Sequence, residues 1–206
     1  MNGVDIYDRV RAIIPNGVVL PSCVYVASHI KEKGIIEHNG NPGKIIIGKD
    51  PLHLDYEPKW VIEFIKDSGI DVIYKENASS DIWTKFIFIA SFGLVTARYN
   101  KSMGQVSEDT SLRARTYSIM EEIKTLAENM EVSLDENIIQ LSFQKALSFP
   151  YATPTSLQLD VHSGRKNNEL ELLAGTIKKY GELFNISVTE TERIYNEISQ
   201  DLVVAN

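Results

Sequence analysis

The order of segments predicts an α+β protein: strands gathered in the first third of the chain, helices in the rest. Three observations carry this. Up to about residue 78 the apolar residues come in short β-branched runs bounded by Gly, Pro and Asn. Beyond residue 78 they recur every three to four positions, the spacing of one face of a helix. A chain of 206 residues with 43% hydrophobic and 24% charged residues can bury a core, so the runs read as packed structure and not as linker.

The first segment, 1–78, opens its strand content at the turn signal Asn16-Gly17 with "GVVLPSCVYVASHI". "GIIEHNG" and "KIIIGKD" follow, separated by Asn-Gly-Asn-Pro-Gly, which predicts a hairpin between these two runs. "EPKWVIEFIKDSG" carries Trp60, Ile62, Phe64 and Ile65, with Pro58 near its start and Gly69 past its end, so it predicts a helix. "IDVIYKEN" reads as a further strand.

The second segment, 79–206, reads as about six helices. Ser79 or Ser80 can cap "DIWTKFIFIASFGLVTARY". "SLRARTYSIMEEIKTLAENM" places Leu112, Tyr117, Ile119, Met120, Ile123, Leu126 and Ala127 at helical spacing, and "LDENIIQLSFQKALSF" continues the pattern. In "TPTSLQLDVHSG", Thr153 is the expected N-cap, Pro154 the first helical residue and Gly164 the terminator. Asn168 and Glu171, three apart, are a variant of the capping-box spacing for the next helix, and "TETERIYNEISQDLV" closes the chain.

Bulk properties narrow the function. A net charge of −7 argues against a phosphate-binding surface over the whole protein, so nucleic acid is not an expected partner. Cys23 is the only cysteine, which excludes an intrachain disulfide and fits a cytoplasmic setting. The start "MNGVDIYDRVR" has no apolar signal-peptide core. No uninterrupted apolar run reaches the about 20 residues that span a bilayer, so no membrane is expected.

Lys85 is the first position of chemical interest. Ile82, Ile89, Phe92 and Gly93 share its face, while Trp83, Phe86, Ile87, Phe88, Ala90 and Leu94 make the other faces apolar. Either the lysine sits near the helix start and snorkels to water, or it lines a cleft as a proton donor or anion anchor. Ser156 and Asp160, four apart, share a helix face and suit either solvent or a ligand with hydroxyl or carbonyl groups. Glu169 and Glu171 lie at a helix start, where carboxylates complement the helix dipole. His29, His38, His53 and His162 show no metal-ligand spacing, and no metal is expected. "GKIIIGKD" imitates a phosphate loop, but its β-branched centre and Asp50 in place of the magnesium-binding hydroxyl reject it, and Gly-x-Gly-x-x-Gly does not occur.

The residues also resemble a known family over nearly the whole chain. "NGV" at the start, "GIIEHNG" with "IIIGKD", "IWTKFIFIASFGLVTA", and "TPTSLQLDVHSGRKNNELELLAG" with its Thr-Ser-x-x-x-Asp, Gly-Arg, Glu and later Gly are similar, in order, to the ketopantoate reductases (2-dehydropantoate 2-reductases). The resemblance implies the tail of a Rossmann-type nucleotide-binding domain, 1–78, then an all-helical substrate-binding and dimerisation domain of the 6-phosphogluconate dehydrogenase C-terminal type, 79–206. It implies NADPH as cofactor and conversion of ketopantoate to pantoate in pantothenate and coenzyme A synthesis, by a homodimer. Lys85 becomes the catalytic proton donor, Ser156, Asp160 and Glu169 substrate-side residues, and Asn2 the asparagine between cofactor and substrate. Glu169 fits after a one-residue insertion in "GRKNN", with Glu171 as the alternative.

Two departures set further expectations. Where many members carry substrate-contacting asparagines one and two turns after the lysine, this chain has Ile89 and Gly93, so another 2-oxo acid is an open alternative. The glycine-rich front of the nucleotide-binding domain has no counterpart here. The expectation is therefore a shortened chain or a fragment, inactive by itself, whose full-length parent is the enzyme. A non-catalytic helical dimerisation module is the remaining alternative.

Overall fold

The computed structural model describes residues 2–26, 28–38, 43–165 and 167–204. The chain divides into two compact units, one holding Gly3–Ile82 and the other Asn2 with Trp83–Asn206. The division falls inside the first turn of the helix that begins at Ser79.

The first unit starts with helix α1, Ile6–Ile13, which the periodicity of so short a segment did not announce. Strands β1 (Ser22–Tyr25), β4 (Lys44–Gly48) and β5 (Asp71–Lys75) form a sheet in the order β1-β4-β5. β1 runs antiparallel to β4 with Cys23 opposite Ile46, and β4 runs parallel to β5 with Ile46 opposite Ile73. A parallel pair needs a crossover, and helix α2 (Lys59–Asp67) lies within it. Cys23, Ile46 and Ala78 form the buried cluster, with Tyr25 and Ile82 packed against it.

The expected hairpin between "GIIEHNG" and "KIIIGKD" does not form. β3 (Ile35–His38) pairs instead with β2 (Ser28–Glu32), antiparallel, in a separate two-stranded sheet. The turn that permits this is Lys33-Gly34, where Gly34 has φ +86°, a left-handed conformation that glycine adopts at no steric cost. Residues 39–42 of the Asn-Gly-Asn-Pro-Gly stretch lie outside the described residues. On α2, Val61, Ile62 and Ile65 are half-buried, but Trp60 and Phe64 are 68% and 69% exposed. The false phosphate loop is strand β4. Its Lys49 pairs with Glu57 at 2.8 Å and Glu76 at 3.1 Å, and its Asp50 anchors α1 through Tyr7 Oη at 2.7 Å and Arg11 Nη2 at 2.6 Å.

The second unit is built on helix α3, Ser79–Tyr99. By length and composition α3 could cross a membrane, contrary to the expectation that no segment could. Most of it is buried within the protein, with Phe86, Ile87, Phe92 and Leu94 fully enclosed, which is what an all-round apolar helix requires in a globular core. Helices α4 (Met103–Glu108), α5 (Thr110–Asn129) and α6 (Ile138–Leu147) follow, with Ser102 and Gln105 forming a capping box at α4. On α5, Thr116 and not Tyr117 faces the core. Tyr117 is half-exposed, because its position falls on the edge of the apolar stripe.

Helix α7, Ser156–His162, starts two residues later than expected. Thr155 is its N-cap, its hydroxyl accepting from the Gln158 N–H, while the Gln158 side chain accepts from the Thr155 N–H. The reciprocal Thr-x-x-Gln box outcompetes Thr153. Residues Glu171–Gly175 form one π-helical turn running directly into α8, Thr176–Phe184, and α9 spans Thr189–Val204. The N-terminus of α9 is capped from α5. Glu122 accepts from the N–H groups of Glu190 (2.7 Å) and Thr191 (3.0 Å) and from the Thr191 hydroxyl (2.7 Å).

Candidate active site

Lys85 lies in the second turn of α3, half-buried, and its ammonium donates to Asn2 Oδ1 at 2.8 Å. Asn2 Nδ2 donates in turn to Glu169, 3.0 Å from Oε1 and 3.4 Å from Oε2. Ser156, the first residue of α7, donates its hydroxyl to Glu169 Oε2 at 3.2 Å. The result is a continuous polar set in the helical unit: Lys85, Asn2, Glu169, Ser156. The Asn2 amide orientation follows from its neighbours, since oxygen must face the ammonium and nitrogen the carboxylate.

Local structure explains each placement. Lys85 is carried by a helix rigid through burial of its other faces. Ser156 is fixed by the Thr155 cap, whose hydroxyl is also 2.6 Å from that of Thr96 on α3, tying the start of α7 to the lysine's own helix. Thr155 entered the sequence reading only as the Thr of Thr-Ser-x-x-x-Asp; its capping role was missed, although Gln158 three residues on was the signal. Glu169 precedes the π-helical turn. Asn168 accepts from the Leu170 N–H at 3.0 Å, an Asx turn around Glu169. The expected Asn168–Glu171 capping box is absent, because Glu171 is engaged by the Tyr195 hydroxyl instead. Of the two glutamates, Glu169 joins Lys85's set and Glu171 belongs to an exposed contact with α9.

Asp160 is not brought into this set. It shares a face of α7 with Ser156 but pairs with Arg165 Nη1 at 3.0 Å, because Gly164 turns the chain (φ +70°) and returns the arginine toward it. Ile89 is half-buried one turn after Lys85. Gly93 is buried, and a Cβ there would lie 3.7 Å from Leu157 Cβ and from Leu173 Cδ1, so its side of α3 faces packed core. Among the described residues the positive-φ glycines Gly17, Gly34, Gly43, Gly69 and Gly164 are scattered and make no contiguous loop of the kind that cradles dinucleotide phosphates. A groove of about 600 Å³ in the first unit, lined by Tyr25, Lys44, Asp71 and Asp81, contains none of the four polar residues.

An ammonium held beside an amide, a carboxylate and a hydroxyl can grip a carbonyl or carboxylate oxygen and give it a proton as negative charge develops there. The fold and this set define a small α/β unit followed by a helical unit that carries a lysine-centred polar site. The chain belongs to the ketopantoate reductase PanE/ApbA family: the family's C-terminal model matches residues 77–201 and its companion ketopantoate reductase PanE/ApbA model matches residues 1–51. It is 22% identical over 195 residues to the uncharacterized oxidoreductase YkpB of Bacillus subtilis, covering 95% of this chain and 64% of that protein. Among solved structures it resembles a PanE/ApbA family ketopantoate reductase from Ralstonia eutropha (TM-score 0.86, 21% identity, 98% of this chain and 64% of that one). It also resembles D-mandelate dehydrogenase solved with NADH (TM-score 0.88, 14% identity, 100% and 70%) and 2-dehydropantoate 2-reductase from Methylococcus capsulatus (TM-score 0.80, 21% identity, 97% and 63%). The chain thus spans just under two thirds of the length of the first relatives it matches.

Proposed function

We propose that this chain supplies the substrate half of a nicotinamide-dependent 2-oxo acid reductase, with ketopantoate to pantoate, in cytoplasmic pantothenate and coenzyme A synthesis, as the first reaction to test. The observation that carries the reading is the Lys85–Asn2–Glu169 chain of hydrogen bonds. When a carbonyl accepts hydride its oxygen becomes an alkoxide. Lys85 stabilises that charge and delivers the proton, a role that general acid groups fill with about 10²–10⁴-fold effect. Asn2 holds the ammonium, Glu169 orients Asn2, and Ser156 steadies Glu169. Asp160 has no direct part in this arrangement.

The hydride would come from reduced nicotinamide, NADPH by family resemblance. The glycine-rich loop that binds such a cofactor does not occur in these 206 residues, so hydride transfer is assigned to protein carrying that loop, and the 206 residues by themselves are expected to be inactive. A homodimer is proposed as well, since one structural relative is described as a dimeric ketopantoate reductase from Staphylococcus aureus.

The test is ketopantoate-dependent NADPH oxidation followed at 340 nm with full-length protein. Activity that falls at least about a hundredfold in Lys85→Ala supports the reading. Full activity in that variant sinks it. A second reading, reduction of a different 2-oxo acid, is favoured by one observation: Ile89 and Gly93 place no hydrogen-bonding side chain on the face of α3 beyond Lys85.

A further inference from the structure

Resting on the reading of Lys85 as proton donor, we propose that the π-helical turn Glu171–Gly175, held from α9 by Tyr195, sets the direction of Glu169 and so positions the lysine site. Glu171, Gly175 and Tyr195 then act through Glu169 and not on the substrate. A π turn holds one residue more than an α turn, and single π turns concentrate at functional sites. Here α8 is fixed by its buried Thr176, Ile177, Tyr180 and Gly181, so the extra residue takes effect upstream of the turn. Each residue of an α-helix turns the chain by about 100°. Without the extra residue, the buried Leu170 would point where Glu169 now points. Glu169 would swing by about 100° and its Cα would move by about 3.8 Å. Its bonds to Asn2 at 3.0 Å and Ser156 at 3.2 Å do not survive such a shift. Glu169 must follow the turn, because its carbonyl accepts from the Leu173 N–H at 2.9 Å.

Specific contacts hold the turn open. The buried Thr176 hydroxyl donates to the Leu172 carbonyl at 2.8 Å, serving an acceptor inside the widened turn. The Glu171 side chain folds back over the turn, and its Oε2 occupies the space that a Cβ on residue 175 would need. Its Oε1 accepts from the Tyr195 hydroxyl. The same tyrosine ring lies under Lys178 of α8, whose Nζ is 3.9 Å from the ring centroid. Tyr195 therefore grips Glu171 at the start of the turn and Lys178 just beyond its end, and Gly175 leaves the room that this grip requires.

The test compares Gly175→Ala and Tyr195→Phe with wild type. Residue 175 has helical φ and ψ of −60° and −39°, which suit alanine, and the added Cβ meets only the mobile end of Glu171, so this variant is expected to fold. Tyr195→Phe keeps the ring and removes the hydroxyl alone. The first readout is the side-chain amide resonance of Asn2 in nitrogen-15 NMR of the 206-residue chain, which reports its bond to Glu169. In both variants it should move toward the position it takes in Glu169→Ala. Glu171→Ala should do the same, while Glu171→Gln, which keeps an acceptor for Tyr195, should restore most of the wild-type position. The second readout is ketopantoate-dependent NADPH oxidation by full-length protein, where kcat should fall about tenfold to a hundredfold with a smaller change in KM. An Asn2 resonance that stays in place while only the thermal transition changes overturns the proposal, since the turn then serves only to bury Leu170. An unchanged kcat in variants whose Asn2 resonance has moved overturns it as well. A moved resonance in a protein whose wild type reduces no ketopantoate sinks the ketopantoate reading and leaves the positioning of Glu169 by the turn standing.

Discussion

Replacing Asp50 by Asn should unfasten the first unit. The Asp50 carboxylate has no exposed surface and gathers five donors. Oδ1 accepts from Tyr7 Oη at 2.7 Å and Leu52 N–H at 3.0 Å, and Oδ2 from Arg11 Nη2 at 2.6 Å and Val19 N–H at 2.8 Å, with His53 Nδ1 at 2.9 Å. Burial by itself pushes its pKa up, but the hydrogen bonds from Val19, Tyr7, Leu52 and His53 outweigh it and hold the carboxyl well below the usual carboxylate range. An Asn side chain keeps one acceptor oxygen and turns an NH₂ toward the other donors, leaving the Arg11 charge without its counter-ion. Removing one partner of a buried ion pair costs about 3–5 kcal/mol, a large part of the 5–15 kcal/mol that holds a typical domain together.

The assay is urea unfolding read by peptide-resolved amide hydrogen exchange, which reports α1 and the β1-β4-β5 sheet separately from the helical unit. The pH dependence has a definite sign. A carboxyl with a lowered folded-state pKa contributes stability that is complete above its ordinary unfolded value, about 3.9, and is lost as pH falls toward the lowered one. The wild-type advantage should therefore be full at about pH 6 and shrink on acidification below about pH 4. A variant within about 1 kcal/mol of wild type at neutral pH would refute this account. So would an advantage that does not shrink in acid.

Two further substitutions probe the helical unit, and they join the tests at Lys85 and Gly175 described above. Glu122→Ala leaves the Glu190 and Thr191 N–H groups at the start of α9 without their acceptor. It should lower stability by about 2–3 kcal/mol, read as an earlier thermal transition in the fluorescence of the buried Trp83. An unchanged transition would mean that water replaces the carboxylate freely. Gly104→Ala places a Cβ 2.6 Å from the Tyr151 carbonyl and 2.4 Å from its ring. The backbone contact cannot yield, so about 1–3 kcal/mol is expected in chemical denaturation, and a neutral result would show that the loop before α7 moves aside.

The helix of Ser79–Tyr99 was legible because its apolar content exceeds what a surface helix tolerates. β4, β5 and α2 were legible because β-branched runs, Pro58 and Gly69 mark them. The partner of β3 was not. Two glycine-containing turn signals stood on either side of "IIEH", at Lys33-Gly34 and after His38, and a local reading cannot rank them. Capping went the same way. Thr153 and Thr155 are both plausible caps by composition, and the reciprocal bond with Gln158 selected the second.

For the site, the sequence by itself determined that a cation sits in an otherwise apolar helix and that hydroxyl and carboxylate residues recur near 156–171. Residue order and family resemblance named Asn2, Lys85, Ser156 and Glu169 together. The sequence could not choose between Glu169 and Glu171, which are two apart and chemically identical. Tertiary structure separates them, because the turn around Asn168 presents Glu169 to Asn2 while Tyr195 of α9 engages Glu171. It also pairs Asp160 with Arg165, which Gly164 returns toward it, outside the Lys85 set. A hydrogen bond between residues 2 and 169 depends on where the chain has travelled in between, and periodicity, which reports only neighbours within a turn or two, carries no record of that path.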